Sequence, residues 1–387
     1  MRGIVACLVV VTFVLSPRIV LGQTLVSETI GGVVRDVTRG PLPVTSLPFG
    51  IVQSAACEPD GKVRFICGVV SPEDLVRVPR SDWVIASGYV GGAVVLIHVR
   101  DHRTVQAFPT STARERWAKT GPYSACPGPV DAAEKEKASW HGLAVAAGPD
   151  RVHTVFVVHH GFRESIEVFE IDTAANPPTF TWIGCVLAPD RVNTSATPLP
   201  SGLNSVSPLP GGGFVATNSR RRGAPAAEIN RGEVLEWNPG SGWRVVPGSE
   251  SQGPNGIEAS PDGTWLYVNL HPARKVMRLS RGRTPVTKDL VDVAFQPDNI
   301  RWQADGTLLA AGHGGPNIER VLQCIRRLCP DLASVVARID PHTLKVEEII
   351  RYPGHERFFN STAALQVGDE VWIGTIDGDR IARYPIR

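Results

Sequence analysis

Six times along the chain a turn leads into a short apolar run rich in β-branched and aromatic residues, and a second alternating run follows. The pairs are 82–88 with 93–99, 154–160 with 166–171, 213–219 with 232–237, 264–270 with 275–279, 307–313 with 334–339, and 370–376 with 380–384. Measured between strand centres at Trp83, Val155, Phe214, Leu266, Leu308 and Val371, the spacings are 72, 59, 52, 42 and 63 residues. These intervals suit small repeated sheets with insertions. One such sheet cannot bury both of its faces, whereas six packed around an axis can. The pattern therefore predicts an all-β, six-bladed β-propeller, with the N-terminal segment adding a strand to the last blade. A two-domain β-sandwich is the competing architecture, but it does not explain why the same strand pair recurs six times.

Composition agrees with this reading. The 38 Gly and 32 Pro in 387 residues are spread along the whole chain and leave little room for long helices. Basic residues number 40 and acidic ones 38, without a basic face, so nucleic acid is not an expected partner. Arg2, an apolar run over 4–15 and the small residues before Gln23 read as a signal peptide over 1–22, followed by one propeller domain over 23–387. Export to a secreted or periplasmic location suits the six cysteines that remain: Cys57, Cys67, Cys126, Cys185, Cys324 and Cys329. Taken alone, that number allows fifteen connectivities.

Candidate chemistry lies about ten residues ahead of the apolar strands. Glu73 and Asp74 precede Trp83, Asn204 precedes Phe214, Asn255 precedes Leu266, Asp298 and Asn299 precede Leu308, and Asn360 and Ser361 precede Val371. Equivalent positions in a propeller sit at equivalent radii. Glu73, Asn204, Asn255, Asp298 and Asn299 should then converge from four blades near one end of the axis. Two carboxylates and three amide oxygens make a hard, all-oxygen donor set that suits calcium better than zinc or copper.

Of the ten histidines, His98, His102, His153, His342 and His355 read as solvated or edge residues. His141 opens the second blade, which supplies no carboxylate or amide in the metal register, and His159 and His160 end that blade's apolar strand. Alternation lets only one of the latter two point inward, and the pattern alone does not choose. A pair of imidazoles beside a calcium ion could activate water.

These residues resemble the paraoxonase/arylesterase family, within the calcium-dependent six-bladed propellers that include gluconolactonases. The resemblance runs from about Ser71 to Tyr384. It is carried by 71–75 with 85–88, His141-Gly142, 157–160 with 165–169, Leu203-Asn204, 255–257 with 260–263, 298–300, His313 and 373–375. It implies that His141 and His160, 19 residues apart, form a catalytic dyad. It also implies that Glu73, Asn204, Asn255, Asp298 and Asn299 hold a catalytic calcium, and that His313 lines the substrate pocket. Ser205 stands where the family's second, structural calcium has an aspartate, which leaves Asp74 and the Leu143 carbonyl as donors for a second ion. The C-terminus lacks the cysteine of animal members, and the polar stretch 220–232 stands where those members carry an apolar, lipid-binding helix. No stable membrane or lipoprotein association is therefore expected.

The resemblance implies a calcium-dependent hydrolase of small-molecule lactones or aryl esters. No Gly-x-Ser-x-Gly or His-Glu-x-x-His motif is present to suggest another hydrolytic mechanism. The alternative is a ligand-binding or strictosidine-synthase-like propeller whose ion is structural. An insertion over 318–329 carries Ile318, Val321, Leu322, Ile325 and Leu328 at helical spacing and reads as a short amphipathic helix over the propeller top. The expected disulfides are Cys57–Cys67, Cys126–Cys185 and Cys324–Cys329.

Overall fold

The computed structural model describes residues 57–130, 138–161, 163–189, 201–221 and 231–386; the expected signal peptide and most of the polar stretch 220–232 lie outside them. The described residues form six sheets, antiparallel throughout except where one short edge strand, 114–115, pairs in parallel. Blade 1 contains β2 (Pro72–Arg77), β3 (Trp83–Gly88), β4 (Val94–His98) and β5 (Thr104–Phe108), preceded by β1 (Arg64–Cys67). Blade 2 contains β7 (Ser139–Ala146), β8 (Val152–His160), β9 (Ser165–Asp172) and β10 (Thr179–Leu187), with the short β6 (Arg114–Glu115) on its outer edge. Blade 3 comprises β11 (Ser201–Pro208), β12 (Phe214–Arg221), β13 (Arg231–Asn238), β14 (Gly242–Val245) and β15 (Ser251–Gln252).

Blade 4 comprises β16 (Pro254–Ala259), β17 (Trp265–Leu270), β18 (Lys275–Ser280) and β19 (Lys288–Asp292). Blade 5 comprises β20 (Gln296–Trp302), β21 (Leu308–Gly314), β22 (Ala333–Ile339) and β23 (Val346–Tyr352). Blade 6 comprises β24 (Ser361–Val367), β25 (Glu370–Thr375) and β26 (Arg380–Pro385), and β1 pairs with β26 as its outermost strand. The recurring sequence pairs are thus the second and third strands of each blade, and β1, ahead of blade 1 in sequence, adds a strand to the last sheet as expected.

The innermost strands β2, β7, β11, β16, β20 and β24 touch in sequence, and β24 returns to β2, so the ring is closed. Burial follows radius. β3 is buried at every residue because a neighbouring blade covers each face, whereas the outer strand β19 alternates between exposed and half-buried residues. Each interface between consecutive blades has its own apolar core. Ile85 and Leu96 meet Leu143 and Phe169 between blades 1 and 2, and Leu365 and Trp372 meet Leu75 and Ile97 where blade 6 closes onto blade 1. Phe156 with Phe214, Val215 with Val268, Tyr267 with Ile300, and Leu309 with Ile373 mark the other four.

Disulfides join Cys57 to Cys67, Cys126 to Cys185 and Cys324 to Cys329, the pairing expected from the sequence. The insertion in blade 5 holds a shorter helix than expected, α1 (Ile318–Cys324), capped at its N-terminus by Asn317, whose side chain accepts from the Arg320 amide. Ile325 leaves helical geometry, and the disulfide to Cys329 closes the turn beyond it, so Leu328 ends up exposed rather than on a helical face. Asn360 donates to the Cys324 carbonyl, and Asp377 accepts from the Arg326 amide, which docks this cap on blade 6. Among the described residues no helix is long and apolar enough to cross a membrane.

Candidate active site

The site is built from one irregularity repeated six times. In every blade the pairing of first and second strand shifts register by one residue, with the extra residue on the innermost strand, and blade 3 adds an opposite shift between Gly202 and Leu203. Such a bulge bends the strand and re-aims its side chains. Aligned on the last pair before the shift, the bulges place Glu73, His141, Asn204, Asn255, Asp298 and Thr362 at one equivalent position, and Asp74, Gly142, Ser205, Gly256, Asn299 and Ala363 at the next. Two of these are glycines for lack of room. A Cβ at Gly142 would lie 2.6 Å from the Asn204 carbonyl oxygen, and one at Gly256 would lie 2.5 Å from that of Asp298.

All five expected metal ligands are buried at the axis. Asn299 Nδ2 donates to Glu73 Oε1 at 2.7 Å across the ring. His141 Nε2 lies 3.5 Å from Glu73 Oε1 and 3.4 Å from Asn204 Nδ2. Burial, reinforced by the charges of Asp74 and Asp298, pushes the Glu73 carboxyl well above its usual range. Burial does the same to Asp298, against the amide of Asn255. Glu73 Oε2, Asn255 Oδ1, Asp298 Oδ1 and Asn299 Oδ1 have no hydrogen-bond donor among the described residues. Four buried oxygens without donors, two of them on carboxylates, are what a hard divalent cation would satisfy, so these residues fit calcium.

A second ring lies one step outward, at the ends of the second strands. In register, its members are Tyr89, His160, Ser219, His271, His313 and Ile376. His160 Nε2 meets His141 Nδ1 at 3.0 Å, and its Nδ1 meets Glu164 Oε2 at 2.6 Å. The Tyr89 ring packs edge-on against His141 with centroids 4.6 Å apart. His159, on the opposite face, stands against Trp140 and the Arg163 carbonyl, and burial lowers its pKa to about 4. His313 is buried in this second ring beside His271, and burial lowers its pKa too to about 4.

Asp74 and Leu143, expected to serve a second calcium, are both engaged by Arg301. Its Nη2 donates to the Asp74 carboxylate and to the Leu143 carbonyl at 2.5 Å, while Nε reaches the Leu75 carbonyl at 3.2 Å. Nη1 lies 3.2 Å from Glu258 Oε1. A fixed cation from blade 5 thus satisfies both groups.

Sequence reasoning missed Arg301, Glu164, Tyr89 and His271. His271 could have been found, since it follows the second strand of blade 4 as His160 ends that of blade 2. His153, read as an edge residue, is buried beneath the blade 2 turn, where the Gly148 amide donates to its Nδ1 at 3.2 Å.

No family model and no curated protein matches the chain. Among solved structures, a luciferin-regenerating enzyme aligns with a TM-score of 0.50 at 10% identity, covering 83% of this chain and 94% of that one. An aldose sugar dehydrogenase from Streptomyces coelicolor aligns at 0.49 and 12% identity, covering 85% and 99%. The calcium-binding protein regucalcin from Agrobacterium tumefaciens aligns at 0.45 and 16% identity, covering 83% and 93%. At such identities the first likeness speaks to the fold alone: the chain is a six-bladed β-propeller.

Proposed function

We propose that this protein is a calcium-dependent hydrolase of lactones or aryl esters, acting in a secreted or periplasmic setting. The observation that carries the reading is a three-member proton relay that ends against a ring of buried oxygens lacking donors. Glu73, Asn204, Asn255, Asp298 and Asn299 would hold the calcium ion. When bound, calcium supplies a Lewis acid for the substrate carbonyl and offsets the paired carboxylates.

The relay fixes its own protons. Glu164 accepts from His160 Nδ1–H, so His160 Nε2 carries a lone pair and accepts from His141 Nδ1–H. That tautomer turns the basic Nε2 of His141 toward Glu73 and Asn204, where a water molecule can lose its proton as its oxygen bonds to the acyl carbon. Cleavage of the acyl carbon–oxygen bond then returns that proton from His141 to the departing alkoxide. Asn204, beside the base, would orient the substrate, and Tyr89 packs against one side of that base. The three disulfides support an oxidising compartment. Nothing in the net charge of +2 suggests a nucleic-acid partner.

The test is a panel of lactones of different ring size and of aryl esters, assayed with calcium and after exhaustive chelation. Calcium-dependent turnover of at least one class is expected. Turnover that survives removal of all bound metal overturns the mechanism, and calcium binding without any hydrolysis favours a non-hydrolytic propeller.

A further inference from the structure

The relay uses one histidine of the second ring and leaves two. His271 and His313 stand on blades 4 and 5, the part of the ring farthest from blades 1 and 2, and both are buried. His271 Nε2 lies 3.3 Å from His313 Nδ1 and 4.0 Å from Asp298 Oδ2. Donor atoms of the three residues all lie within 4.8 Å of one another. Two ligands about 2.0–2.1 Å from a tetrahedral ion stand roughly 3.3 Å apart, so the imidazoles already hold that spacing, and the carboxylate needs to close by at most about 1.5 Å.

The protons also allow it. The outward atoms, His271 Nδ1 and His313 Nε2, have no protein partner among the described residues. No described protein group beside those outward atoms fixes either tautomer, so both facing lone pairs can be offered to one ion with the protons carried on the outward nitrogens. A direct hydrogen bond between the rings is the competing arrangement and would use one of those lone pairs.

We infer that His271, His313 and Asp298 form a second metal site, for a zinc-class divalent ion, on the blade 4–5 side of the axis. Two imidazoles and one carboxylate with open positions suit a borderline ion, where the neighbouring all-oxygen ring suits a hard one. Asp298 can serve both, since Oδ2 faces His271 while Oδ1 has no donor. The inference does not depend on the hydrolase reading, because it needs only these three side chains.

The test is titration of the chelator-treated full chain with cobalt(II), a visible stand-in for zinc, with calcium absent and present. One equivalent should bind with the intense visible bands of a low-coordinate, nitrogen-ligated ion, and zinc should displace it. His271→Gln and His313→Gln should each abolish the bands and weaken zinc binding at least about a hundredfold, while Glu73→Gln keeps the bands. Absence of such bands in the parent protein overturns the site whatever the variants do, as do bands that persist in both histidine variants. Calcium affinity, measured separately by calorimetry, reports on the oxygen ring, so failure of one site is distinguishable from failure of the other.

Discussion

Arg301→Met should cost the protein about 3–5 kcal/mol, the range for removing one partner of a buried ion pair. The guanidinium is 3% exposed and the Asp74 carboxylate 0%, so water cannot replace what is lost. Methionine keeps most of the stem's volume but removes every donor. Asp74 would retain only the amides of Leu75 at 2.8 Å and Leu143 at 2.9 Å, and the Leu75 and Leu143 carbonyls would each lose a partner. Those added losses place the expectation in the upper half of the range. Adding Asp74→Asn removes the more deeply buried of the two carboxylates left without Arg301 and should recover about 1–3 kcal/mol, since Glu258, the other, keeps some contact with solvent. The assay is urea unfolding of the parent, both single variants and the double variant, with equal m-values as the condition for comparing midpoints. A single variant within about 1 kcal/mol of the parent, or a double variant no more stable than Arg301→Met, refutes the reasoning.

Other expectations concern the relay, the oxygen ring and the buried imidazoles. His141→Gln should lower turnover of an accepted lactone at least about tenfold while leaving calcium affinity by calorimetry unchanged; equal turnover would make the residue structural. Chelation should lower activity and melting temperature together, Asp298→Asn should weaken calcium binding, and magnesium should substitute poorly because its octahedral shell is smaller and stricter. His159 and His313, each lowered to about 4 from an unfolded value near 6.5, contribute stability that is complete above that unfolded value and is lost as pH falls toward 4. Replacing His159 by phenylalanine should therefore flatten the fall in urea midpoint between pH 7.5 and 4.5, and an equally steep fall would show that His159 is not the group titrating.

The second and third strands of each blade were legible because both of their faces are covered, which makes them near-continuous apolar runs. The innermost strands carry polar residues toward the axis and show no such run, and only the periodic recurrence of Glu73, Asn204, Asn255 and Asp298 betrayed them. Arg301 left no comparable trace. It is one of 40 basic residues, and only its place three residues after Asp298 puts its guanidinium against Asp74 and the Leu143 carbonyl, contacts made between blades far apart in sequence. Glu164 likewise lies in a turn whose conformation, not composition, aims it at His160. The helix over 318–329 was read too long because hydrophobic spacing continues past Ile325, whereas the Cys324–Cys329 bridge demands a turn there.

Closure of blade 6 by β1 makes the first described strand wait for the last. As the chain is synthesised, 64–67 emerges before any blade, but its partner strand 380–385 is made after the other five sheets, which can therefore assemble while this strand has no sheet to join. Once 380–385 has formed and until it pairs with 64–67, two matching edges are open at once. At high concentration the same pairing can be made between two molecules as readily as within one, and an exchanged dimer or an open chain of molecules would contain the same strand contacts as the monomer. Dilution during refolding, rather than any change to the site, should thus decide how much of the protein ends as a single closed ring.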